Sequence, residues 1–149
     1  MSKALEILNQ KLENEGVEIS LTGDDGEIII NAILEGLGED EDGAIVCEIA
    51  KMNEDEDGNI YYGFHSVIAD HLEEKNFAPT MLNLNELNMA LLVGAYGILK
   101  EDGTIFHKYV YKMPKMDAAV GAEILYGVFV DIVASIYNDY DAIFDAIAE

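Results

Sequence analysis

The sequence predicts one α+β domain over residues 1–149, an antiparallel sheet covered by helices in the order helix, three strands, helix, two strands, long C-terminal helix. Three observations carry this. The first segment is apolar at helical intervals, an acidic turn ending in Asp-Gly recurs before β-prone runs, and an apolar helical stretch fills the end of the chain.

In the first segment Leu5, Leu8 and Leu12 share one helical face, with Ala4 and Ile7 beside it, while Lys3, Glu6, Gln10 and Glu13 face outward. Gly16 suits the left-handed residue that follows a helix, and Val17-Glu18-Ile19-Ser20-Leu21 then alternates as an extended segment does. The acidic turns come next. Asp24-Asp25-Gly26 leads into Glu27 to Leu34, Glu41-Asp42-Gly43 into Ala44 to Met52, and Glu56-Asp57-Gly58 into Asn59 to Ala69. The fourth, Glu101-Asp102-Gly103, joins Leu91 to Leu99 with Thr104 to Tyr111. Asp-Gly supplies the positive φ of a tight hairpin, so each reads as a strand-joining turn. Between the third and fourth strands, Pro79 can open a helix in which Met81, Leu82, Leu84, Leu87 and Met89 recur at helical spacing. Pro114 ends the second hairpin, and from about Asp117 the chain reads as one helix.

That last helix carries two apolar rows: Val120, Ile124, Val128, Ile132, Ile136, Tyr140, Ile143 and Ile147; then Leu125, Phe129, Val133, Tyr137 and Phe144. Together they are wider than one sheet face covers. Part of this surface is therefore expected to form a homodimer seam or a partner groove, with Gly121 and Gly127 allowing close approach; the competing reading is that core alone takes it all. Its far end gathers Asp139, Asp141, Asp145 and Glu149 where the helix dipole is already negative. A basic partner segment is expected to neutralise that end. The candidate partner-binding residues are Leu125, Phe129, Val133, Tyr137, Asp139, Asp141, Phe144 and Asp145.

Composition narrows function. Thirty Asp and Glu face eight cations, all Lys, for a formal net charge of -22. Without arginine there is no bidentate clamp on phosphate and no guanidinium to read a guanine edge, and the overall field repels nucleic acid. Basic partners are favoured. Ala118 to Ile136 is about long enough to span a membrane, but Glu123 and Asp131 lie inside it and no cationic flank follows, so a buried helix is expected rather than a membrane span. Cys47 stands alone in a β-prone run, which excludes an internal disulfide and reads as a small buried hydrophobe. With no apolar leader after Met1, the cytoplasm is the expected compartment.

Motifs for chemistry are sparse. Asn53 to Ile60 matches the first half of a calcium loop, but position twelve is Phe64, which cannot supply the bidentate carboxylate. His65, His71 and His107 are scattered, and His71-Leu72-Glu73-Glu74 lacks the second histidine of a zinc helix. No nucleophile elbow, phosphate loop or dinucleotide fingerprint occurs. Paired carboxylates are too many to be diagnostic. No enzyme, no cofactor and no metal site is expected.

The element order, with Leu82-Asn83-Leu84-Asn85-Glu86-Leu87-Asn88 leading into a hairpin tipped by Glu101-Asp102-Gly103, resembles the bacterial YbjN-like family. That family shares the fold of type III secretion chaperones. Motif character runs from about Met81 to Met113, while the likeness in architecture covers most of the chain. The resemblance implies a small acidic non-enzymatic dimer that binds an extended client segment, or a regulator of sensory transduction, and brings no catalytic residues. The acidic loops between Glu35 and Gly58 depart from the chaperone pattern. The sequence thus predicts a chaperone-like or regulatory protein-binding module holding a basic or extended client. The alternatives are an immunity-type inhibitor of a basic toxin and a small-molecule or calcium-binding domain.

Overall fold

The computed structural model describes residues 2–24 and 27–147. Helix α1 (Lys3–Asn14) is followed by strands β1 (Glu18–Thr22), β2 (Ile29–Leu37), β3 (Gly43–Glu54) and β4 (Ile60–Ala69). A 3-10 turn (Glu74–Asn76) leads into α2 (Phe77–Asn88), then β5 (Ala95–Leu99), β6 (Thr104–Met113) and α3 (Ala118–Ile143). The strands form one antiparallel sheet in the order β1-β2-β3-β4-β6-β5. The predicted α+β class and helix placement hold. The sheet gains a sixth strand because the extended segment after α1 pairs with β2.

Local chemistry sets the boundaries. The Ser2 hydroxyl caps α1 by accepting from the Leu5 amide at 3.2 Å. At its other end Gly16, at φ +83°, donates to the Glu13 carbonyl while Val17 donates to Leu12, the paired bonds of a Schellman ending. Asp117 caps α3 by accepting from the Ala119 and Val120 amides. Gly58 and Gly103 take the positive φ expected of their turns. The turn before β3 differs. There the positive φ falls on Gly38 and Glu41, whereas Gly43 is already paired with Leu37 and lies against the Tyr140 ring, where a Cβ would collide. Asp25 and Gly26 of the first acidic turn, and Glu149, lie outside the described residues.

Alternation along the strands sorts the sheet into two faces. Ile45, Cys47 and Ile49 of β3 are buried, as are Phe64, Ser66 and Ile68 of β4, and the helices pack over this side. α1 and α3 lie against each other, Gly121 letting α3 approach Met113 and Ala4 closely. Lys11 ties the pair, 3.4 Å from Glu123 and 4.7 Å from the centre of the Tyr126 ring. The opposite face carries no helical layer among the described residues. At the outer edge, the Asn88 side chain donates to the Tyr96 carbonyl at 3.1 Å and accepts from its amide at 2.8 Å.

By length and composition alone, α3 could cross a membrane. Here its buried side is a single stripe, Leu125, Phe129, Ile132, Ile136 and Ile143, drawn from both sequence rows. The reason is geometric: steps of four overshoot a 3.6-residue turn by about 40° each, so no i+4 row stays on one side for long.

Candidate partner-binding surfaces

The acidic end of α3 is engaged by its own chain. Asp141 accepts from the Glu39 amide at 2.9 Å, and the Tyr137 hydroxyl donates to the Glu35 carbonyl at 2.8 Å. Both contacts clasp the turn between β2 and β3. Asn83 of α2 donates its side-chain amide to the Ala142 carbonyl at 2.6 Å, so a neutral donor serves the helix terminus where no cation stands. Asp139 accepts from the Tyr96 hydroxyl at 2.8 Å.

Of the predicted partner residues, Leu125 and Phe129 therefore belong to the core, fully and almost fully buried, and are unavailable to a partner. Val133 is half-buried, and Phe144 is half-buried against the edge of the Tyr140 ring, 5.1 Å away. Tyr137, Asp141 and Asp145 keep exposed surface. The structure thus brings Tyr137, Asp139 and Asp141 into internal ties at one end and separates them from Leu125 and Phe129.

Tyr96 opens onto a feature sequence reading missed. Register places Cys47, Ser66, His107 and Tyr96 side by side in one row under the helices, and Asp139 closes it from α3. Burial pushes the Cys47 thiol up to about 12, which leaves it a protonated, inert group. Burial, then the Asp139 carboxylate, raises the Tyr96 phenol. Burial holds His107 below its ordinary value; its Nε2 donates to the Val93 carbonyl at 3.0 Å, while Nδ1 has no partner among the described residues. These four residues are 0–4% exposed, so the row has no opening for a substrate and ties α3 to the sheet instead. No spacing in the sequence could have revealed it, because only strand register joins its members.

The acidic turns show where much of the charge goes. Asp55 accepts from the Asp57 and Asn59 amides through one oxygen and from the Asn59 side chain through the other, and these bonds, the Asn59 side chain first, lower its pKa. Among the described residues no cluster of His, Cys, Asp and Glu is placed to hold a metal.

Accessible apolar surface remains on α3 at Val120, Val130 and Tyr137, and more lies at α2. The most exposed large hydrophobics are Leu92 (97%), Met89 (89%) and Leu82 (68%), at the outer side and end of α2. Leu82 and Met89 are seven residues apart and share a helical face. Beside the start of α2 is an open cleft of about 920 Å³, lined by apolar Phe77, Ala78 and Met81, by the acids Glu74, Glu101 and Asp102, and by one cation, Lys100. His71 stands at its mouth at φ +57°, its pKa raised first by the hydrogen bond to Asp70.

One solved structure can be set against this geometry: YbjN from E. coli, described as a candidate transcription regulator, matches with TM-score 0.51 and 13% identity, over 92% of this chain and 91% of that one. The fold is that of YbjN. No family model matches the chain, and a search of curated proteins finds no relative. The YbjN likeness is one of fold. At that identity, surface chemistry has to be read from this chain's own side chains.

Proposed function

We propose that this YbjN-like chain is a non-catalytic protein-binding module, chaperone-like or regulatory, that holds an extended, basic client segment along α2. The observation that carries this is that α2 lines a mainly acidic cleft at its start and leaves Leu82 and Met89, with Leu92 just beyond it, exposed. A client alternating apolar and cationic residues would cover the leucines and methionine while its charges meet Glu74, Glu101 and Asp102. The net charge of -22 would speed its arrival. Regulation in this reading passes through proteins, since a chain without arginine and with that charge is poorly made for touching DNA. The secretion-chaperone likeness points the same way, and the buried free thiol of Cys47 suits a reducing cytoplasm.

The test is fluorescence anisotropy with two labelled extended peptides, one alternating Leu and Lys, the other Leu and Glu. Binding of the first alone, weakened by salt and by Leu82→Ser with Met89→Ser, is expected. Equal binding of both, or binding indifferent to the two substitutions, would overturn the proposal.

A further inference from the structure

Among the described residues one face of the sheet carries no helical layer. Three cross-strand rows make its centre. Asn31, Glu48, His65 and Lys108 form the middle row. Ile33, Val46, Val67 and Phe106 lie on one side of it, and Ala50, Gly63 and Val110 on the other. Among these eleven residues Glu48 is the one carboxylate and Lys108 the one ammonium, in a chain that is otherwise overwhelmingly acidic; the next carboxylate, Glu18 of β1, extends the Ile33 row at the edge of the sheet.

The face is also flat. Glycines stand where side chains would project: Met52 lies over Gly63, and the Phe106 ring lies over Gly97 and stacks on His65 at 5.5 Å. A hollow of about 230 Å³ remains among Ile29, Ala50, Met52 and Gly63. Val110, in the same row but two strands from Ala50, stands up with 40% of its surface exposed.

We infer that this face is the interface of a homodimer, two sheets packed face to face about a two-fold axis running parallel to β4 between them. Such an axis reverses each row across the strands and leaves its position along them unchanged. Glu48 of each copy then faces Lys108 of the other, Val67 faces Val67, and Val110 of each copy points at the hollow beside Ala50 of its partner. Charge, apolar surface and relief are all self-complementary under one operation, as an isologous contact requires. Aligned sheets with interdigitated inner faces are a standard packing of strands. Electrostatics narrows the choice of face, because two bodies of charge -22 can meet closely only where the carboxylates are few. The inference does not depend on client binding at α2.

Sedimentation equilibrium of the full chain, at about 0.5 M salt to screen the long-range repulsion, tests it. A dimer is expected. Glu48→Lys and Lys108→Glu should each weaken self-association by about a hundredfold or more, since like charges then meet twice across the axis. Mixing the two variants should restore a one-to-one heterodimer, because every 48–108 contact again joins opposite charges. That rescue separates an interface from a folding defect, and circular dichroism of each variant checks the fold. A monomer at all concentrations, variants that dimerise like the parent, a mixture that stays monomeric, or a dimer dissolved by Leu82→Ser with Met89→Ser instead would each overturn the assignment.

Discussion

His65 and His107 come from neighbouring strands and the same general part of the sheet, yet they do opposite things. His107 is buried under α3, neutral, with one nitrogen on the Val93 carbonyl and its ring edge-on to Tyr96. His65 is half-exposed on the helix-free face, stacked on Phe106 between Glu48 and Lys108. One face is consumed by the monomer, with its polar residues tied inward. The other keeps a flat surface whose charges are arranged in order across it. The difference teaches that alternation alone, one residue up and the next down, separates what stabilises this chain from what it can offer to others.

Substitutions can break that division or sharpen it. The largest effect is expected from Phe129→Ala, which opens a cavity beneath α3 and should cost about 3–5 kcal/mol in urea unfolding. A change within about 0.5 kcal/mol would restore Phe129 to the partner surface. Next, Tyr96→Phe removes the donor to Asp139 and should cost about 1–2 kcal/mol; an unchanged midpoint would mean that the row does not fasten α3.

The third prediction is a pH dependence. His107 binds a proton less readily folded than unfolded, so stability should fall as pH drops below the ordinary 6.5 and level off beneath the depressed folded value. His107→Gln should flatten that part of the profile when urea midpoints are compared between pH 7 and 5. Parallel profiles for parent and His107→Gln would count against a buried neutral imidazole. The smallest effect is Val110→Thr on the open face, within about 0.5 kcal/mol on monomer stability. A larger loss would move Val110 into the monomer's own core.

The fold was readable in the sequence because its signals are local. Three leucines at helical spacing, an Asp-Gly at each hairpin and a proline in the first turn of α2 each act within a few residues. Even the exception is instructive: Gly43 sits where Asp-Gly predicts positive φ, but the Tyr140 ring, from the far end of the chain, uses it for contact instead. The candidate surfaces were far less readable. On α3 the buried stripe draws on both apolar rows because i+4 counting does not follow it, and Val120 and Tyr137 of those rows stay exposed. The acids at its end read as unneutralised because the Glu39 amide and the Tyr96 hydroxyl reach them only through the tertiary fold. The face-to-face rows, likewise, exist only once register is known. Exposed Leu82 and Met89 could have been separated from buried Leu84 by period, since one turn of α2 places them on opposite sides.

Asn88 carries a consequence beyond its two hydrogen bonds to Tyr96. A side-chain amide has the same donor and acceptor as a peptide group, so here a single residue stands in for the strand that would otherwise come next. In a crowded cell, where uncovered strand edges template runaway polymerisation, a strand arriving on the β5 side would first have to displace Asn88 from Tyr96.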